Sequence, residues 1–245
     1  MAPRKNAPAR LLPCALLVAA LTTSAACSGG GDSRADRSAK DIGKEAVGAM
    51  RATESMTMRG DITPPAGGRS RLKLTVTRRG DCSGTITAAA PPSQVRVLVV
   101  DGASYMKPDR RYLEANAGGA EKAKVTETKI GGRWLKLDER SGADEFKGLC
   151  DLDRMLAGLT AGTTGSARKG DPAVVAGRRA IPITDSVGAK STTAWVAAEG
   201  TPYILRLDSK GTSDMGTVLF SDFDAARPAK APGPREFIDM AELNG

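Results

Sequence analysis

The chain has 245 residues, 36 Lys and Arg against 28 Asp and Glu, a formal net charge of +8, and no histidine. The missing imidazole excludes Ser/His and Cys/His mechanisms together with the usual zinc sites. Aromatic residues make up only 4% of the chain and its cations are scattered. That argues against a nucleic-acid groove, where basic and stacking residues come together.

Arg4, Lys5 and Arg10 precede an apolar run, LLPCALLVAAL, and the small residues TTSAA lead to Cys27. This is the layout of a lipoprotein signal peptide over residues 1–26, with cleavage before Cys27 and lipid attached to that cysteine. Ser24 stands where lipoboxes usually carry leucine. The competing reading is a plain secretory signal peptide cut near the same alanines, which would release a soluble protein with Cys27 as an unpaired thiol. A membrane span is disfavoured, because the apolar run falls well short of the roughly 20 residues a bilayer needs and contains Pro13. Residues 27–38, CSGGGDSRADRS, read as the lipidated cysteine and a flexible spacer. Three of the positive charges leave with the leader, so the mature chain is about +5, and attraction to anionic headgroups accounts for that excess. The expected location is the outer face of the cytoplasmic membrane, with the membrane itself as a partner through the lipid anchor.

Residues 39–245 are expected to form one domain. AKDIGKEAVGAMRATE places Ile42, Ala46, Ala49, Met50 and Thr53 at helical spacing, which predicts an amphipathic helix ending near residue 54. The period then changes to two in SMTMRGDI, SRLKLTVTRR, CSGTITAAA and QVRVLVV, with Leu72, Leu74 and Val76 the clearest alternation. PPAGG, Gly80-Asp81, Pro91-Pro92 and Asp101-Gly102 punctuate these runs as hairpin turns. ASYMKP follows, then a charged connection, then GRWLKLD as a further strand. CDLDRMLAGL predicts a second helix over residues 152–159. Strands resume with AVVAG, RRAIPIT, TTAWVAA, TPYILRLD and GTVLFSDFD, and the Pro-rich tail reads as extended. The sum is an α+β, mainly β chain: about ten antiparallel strands in a curled sheet, an unclosed β-barrel, with helices covering the concave side.

With Cys14 in the leader and Cys27 acylated, Cys82 and Cys150 are left as the pair for one disulfide. The alternative is two separate buried thiols. GDCSG at 80–84 lacks the geometry of a nucleophile elbow, since Ser83 is misplaced and no base accompanies it. SxxK occurs twice, as Ser70 to Lys73 on an alternating strand and Ser166 to Lys169 in a loop, without the companion elements of penicillin-interactive enzymes. Arg59-Gly60-Asp61 is best read as a solvent-facing strand segment. Asp138, Glu139, Asp144 and Glu145 lack the spacing of a calcium loop and read as a solvated loop. No catalytic residue, metal site or cofactor is expected, and the chain reads as a non-enzyme.

The lipid cysteine with its spacer, the opening helix that ends near Ser55-Met56, the meander with DGASYMKP, the Leu-rich helix at 152–159 and the hairpin AWVAAEGTPYILRLD together resemble the actinobacterial LppX/LprG-type lipoproteins. More distantly they resemble the LolA/LolB lipoprotein carriers. The resemblance implies a half-barrel with a hydrophobic cavity between sheet and helices that accepts acyl chains. On that reading Leu72, Leu74, Val76, Ile86, Val97, Met155 and Leu159 would line the ligand site. A cavity of this kind needs no specific polar group, because each buried methylene contributes about 0.8 kcal/mol. The alternative is a filled core, in an envelope scaffold lipoprotein that contacts another protein or the cell wall.

Overall fold

The computed structural model describes residues 34–63, 68–157, 159, 166–211, 216–227 and 229–243. The signal peptide, Cys27 and the spacer up to residue 33 lie outside the described residues. All described residues belong to the unit Asp32–Gly245.

Helix α1, Ala39–Ala52, starts at Ser38, whose hydroxyl accepts the Asp41 N–H, and buries Ile42, Ala46, Val47 and Met50. Five strands follow as a meander: β1 (Ser55–Ile62), β2 (Ser70–Thr77), β3 (Cys82–Ala89), β4 (Pro92–Val100) and β5 (Ala103–Pro108). Helices α2 (Arg110–Asn116) and α3 (Ala120–Ile130) then precede β6 (Trp134–Leu137). Helices α4 (Ala143–Cys150) and α5 (Leu152–Ala157) lead to the short strands β7 (Arg168–Lys169) and β8 (Ala173–Val175). A second meander comprises β9 (Arg178–Val187), β10 (Lys190–Ala197), β11 (Ile204–Lys210) and β12 (Gly216–Ser221). The tail ends in β13 (Phe237–Asp239) and α6 (Met240–Leu243).

All thirteen strands form one sheet, in the order β13-β6-β5-β4-β3-β2-β1-β12-β11-β10-β9-β7, with β8 also on β9. The pairing of β1 with β12 joins the two meanders, with Met58 opposite Phe220. Asp224 secures that junction by accepting from the Thr53 hydroxyl, the Glu54 N–H and the Tyr203 hydroxyl. Tyr203 stacks on Phe223 beside it, ring centroids 3.9 Å apart.

The expected curled antiparallel sheet of about ten strands, an unclosed barrel, is corrected by this topology. The sheet has thirteen strands and is mixed, since β13 runs parallel to β6. Its order ends on two separate edges, β13 and β7, and it neither closes nor curls strongly. The physical reason lies in its two faces. One face is apolar and covered by helices, with Met56, Leu74, Val76, Ile181 and Ile183 packed under α1 and α5. The other carries Arg59, Lys73 and Arg96 in exposed positions, and its apolar residues form two separate patches, one at Val175, Ala180, Ala197 and Leu205 and one at Leu98, Val100 and Tyr105, rather than a continuous interior for a barrel to enclose. The strands missed in the sequence, β7 and β13, are two and three residues long, too short for alternation to register, whereas the expected strand AVVAG is present as β8.

The helix count is corrected as well. The charged connection at 110–130 is the pair α2 and α3, and the segment read as a solvated acidic loop is a 3-10 turn at Glu139–Ser141 running into α4. Asp138 caps that turn, accepting the Ser141 hydroxyl at 2.6 Å and its N–H at 2.8 Å. The Ser141 hydroxyl is the main reason its carboxyl titrates below the usual range. A disulfide joins Cys82 at the start of β3 to Cys150 at the end of α4, with Cα atoms 5.4 Å apart, and so ties the helical layer to the sheet.

Candidate functional site

The candidate site is built by the segment whose helices escaped the periodicity reading. Asp109 begins α2: its carboxylate accepts the Tyr112 N–H at 2.7 Å and the Gln94 N–H at 2.8 Å, which fastens the helix to the start of β4. Gly118 and Gly119, at φ +82° and +112°, make the turn to α3 that other residues would enter only under strain. α3 ends at Gly131 in the left-handed conformation, where the Arg133 guanidinium donates to the carbonyls of Ile130 and Lys129. Arg110 pairs with Glu114 within α2 and reaches across to Glu127 on α3.

Between this helix pair and the sheet lies a cleft of about 660 Å³. Met106 on β5 and Leu135 on β6 form its floor, Tyr112 and Leu113 on α2 one wall, Val125 on α3 the other, and Met240 and Leu243 on α6 part of its rim. Leu113, Ala123, Ile130, Leu135 and Leu137 form the core beneath it. Val125 is 58% exposed although it is an apolar residue on the cleft wall. Polar groups stand around the cleft: Asn116, Glu121, Lys122, Thr126 and Ser141. Burial, with a smaller contribution from the Glu145 carboxylate, raises the Tyr112 phenol above its ordinary range, so the ring is neutral. Such a cleft offers apolar burial with a few polar groups, and its volume falls within the roughly 300–1,000 Å³ of small-ligand sites.

The seven positions expected from sequence to contact a ligand are divided between two cores. Leu72, Leu74 and Val76 are buried in the core under α1 and α5, with Met155 and Leu159 packed against the same core. Val97 is buried in the core beneath α2 and α3, and Ile86 packs against it. None of the seven lines the α2–α3 cleft. Among the described residues no group of three or more His, Cys, Asp or Glu could hold a metal ion.

Cys27 lies outside the described residues, but the last part of the segment expected as a flexible spacer, from Arg34 on, is fastened to the domain. Residues Arg34–Asp36 form a 3-10 turn. The Arg34 guanidinium donates to the carbonyls of Ala197 at 2.7 Å and Gly200 at 2.9 Å. The Lys169 ammonium donates to the carbonyls of Ala35 and Arg37, and Arg37 pairs with Glu45.

No family model matches the chain, and no curated protein matches it in sequence. Solved structures do. LprF from Mycobacterium bovis superposes with a TM-score of 0.57 at 13% identity, covering 80% of this chain and 96% of LprF. The Mycobacterium tuberculosis lipoprotein LppX superposes with a TM-score of 0.51, also at 13% identity, covering 78% of this chain and 98% of LppX. The chain has the fold of these mycobacterial lipoproteins. The likeness rests on architecture, since so low an identity transfers no residue roles. Among the described residues, no helix is long and apolar enough to cross a membrane.

Proposed function

We propose that this chain is a non-catalytic lipoprotein, anchored by lipid on Cys27 at the extracytoplasmic face of the cell membrane, that binds an apolar ligand such as an acyl chain in the α2–α3 cleft. The observation that carries the reading is the apolar cleft itself, with Val125 uncovered on its wall. The leader layout and the LprF/LppX fold support the anchor. Arg34 is fastened to the domain, and the seven residue steps from Cys27 to Arg34 span at most about 25 Å. A lipid on Cys27 would therefore hold the domain within reach of membrane lipid.

The test is native mass spectrometry of the full chain purified from a host with membranes, followed by displacement of a fluorescent fatty acid. Covering the exposed part of Val125 with ligand is worth about 1 kcal/mol, or roughly fivefold in affinity. Val125→Asp removes that contribution and puts a charge on the cleft wall, so it should weaken fatty-acid binding at least fivefold while leaving the melting temperature nearly unchanged. Absence of co-purified lipid together with no fatty-acid binding by the unmodified chain would overturn the ligand reading. Unchanged membrane retention of Cys27→Ser would overturn the anchor.

A further inference from the structure

The sheet face opposite the helices carries a line of cations in register across the strands. On β1 and β2, Arg59 stands directly opposite Lys73. Lys73 stands opposite Thr85 on β3, Thr85 opposite Arg96 on β4, and Arg96 opposite Lys107 on β5. In the other direction Arg59 is opposite Leu219 on β12, which is opposite Arg206 on β11, itself opposite Trp195 on β10. Paired positions point to the same face, so these side chains share one row. At seven inter-strand steps of about 4.8 Å the row is about 34 Å long.

Four features set this row apart from an ordinary solvated face. Arg59 against Lys73 and Arg96 against Lys107 are like charges directly opposite, an arrangement that destabilises a sheet. Among the described strand residues, the acids Asp61, Asp208 and Asp239 on this face each pair with a cation, Arg71, Arg206 and Lys136 respectively. Arg59, Lys73, Arg96 and Lys107 form no ion pair among the described residues. Both tryptophans of the chain lie on this face, with the Arg96 guanidinium 5.1 Å from the Trp134 ring centre and that of Arg206 5.8 Å from Trp195. Two clefts of about 440 and 520 Å³ also lie along the row; they share Lys73 and Thr85 and together run from Leu219 to Trp134.

We infer that this face is a binding groove for a linear acidic polysaccharide. A line of unneutralised cations selects a chain whose carboxylates recur along its length. The Thr85 hydroxyl between Lys73 and Arg96 suits a sugar hydroxyl, and the tryptophans at the ends supply flat apolar surfaces. A flat bilayer cannot reach into the two clefts, whereas a single polymer chain fills them. The groove is on the opposite side of the sheet from the α2–α3 cleft and stands independently of the acyl-ligand reading.

The test is titration of the purified full chain with polygalacturonate, a carboxylated polysaccharide, at low and moderate salt. Neutral dextran, vesicles rich in anionic phospholipid and single-stranded DNA serve as comparisons. Polygalacturonate should bind and dextran should not. Arg59→Gln with Lys73→Gln should weaken binding at least tenfold and leave or raise the melting temperature, because opposed like charges are removed. Lys44→Gln on α1 should change nothing. Binding that survives the double substitution, or an equal response to DNA or anionic vesicles that falls in parallel, would overturn the proposal. Val125→Asp should leave polygalacturonate binding intact, so the two readings fail separately.

Discussion

Reducing the Cys82–Cys150 bridge is the perturbation with the largest calculable effect on this fold. The bridge spans a sequence separation of 68, and loop-closure entropy for a ring of that size corresponds to about 4 kcal/mol of destabilisation when it is opened. Both cysteines are fully buried, Cys82 among the residues under α1 and Cys150 at the end of α4. Reduced thiols keep nearly the same volume, so reduction isolates the cross-link, whereas alanine at both positions would add a cavity cost. For a domain of this size each kcal/mol moves the midpoint by about 2–4 °C, so the reduced protein should melt roughly 8–16 °C lower. The assay is urea unfolding of the full chain at equilibrium, with and without reductant, together with hydrogen exchange. Protection should fall first in α4 and α5, which the bridge pins to β3, and least in β1 and β2. A stability loss below about 1 kcal/mol, or exchange rising uniformly across the sheet, would refute the loop-closure argument.

Two further outcomes are expected. At Gly84 on β3 a Cβ atom would sit 1.9 Å from the Lys73 carbonyl oxygen, so Gly84→Ala must push β2 and β3 apart; urea titration should show a loss of about 1–3 kcal/mol, and an unchanged midpoint would contradict the close approach. At Asp208, burial alone would raise the carboxyl, but hydrogen bonds from Thr217, Arg206 and Trp195 outweigh it and hold the group below the usual carboxylate range. A depressed folded-state value contributes stability that is present above the unfolded value near pH 4 and is lost as pH falls through the folded value. The stability advantage over Asp208→Asn should therefore be full at neutral pH and shrink below about pH 4 in acid titrations followed by circular dichroism.

Local pattern determined much of this architecture. The helical spacing of Ile42, Ala46 and Met50 marks α1, and the alternation of Leu72, Leu74 and Val76 tells which face of β2 is buried. These signals survive because a strand or helix against a continuous core repeats its apolar residues at a fixed period. The α2–α3 pair carries no such signal. Only Ala123 and Ile130 are buried along the eleven residues of α3, and the rest is charged or small, so its apolar face is too narrow to read. What could have been read was punctuation: Asp109 as a cap after Pro108, the Gly118-Gly119 turn and Gly131 as a stop. The short strands β7 and β13, which the sequence did not show, exist because longer neighbours offer them unpaired edges, a property of the assembled sheet.

The same division separates the two candidate surfaces from the residues first associated with them. Alternation places Leu72, Leu74 and Val76 on the helix side, but it cannot tell a position packed under α1 and α5 from one left beneath a gap. Only the placement of α2, α3 and α6 makes Met106, Leu135 and Val125 the lining of a cleft. Likewise Arg59, Lys73, Arg96 and Lys107 are scattered cations in the chain and become one row only through strand register. The amino-acid order by itself determined the leader pattern, the first helix and most strands, because those follow from nearest-neighbour chemistry. The open mixed sheet, the cleft and the cationic row were decided by tertiary pairing, because each depends on residues brought together from distant parts of the chain.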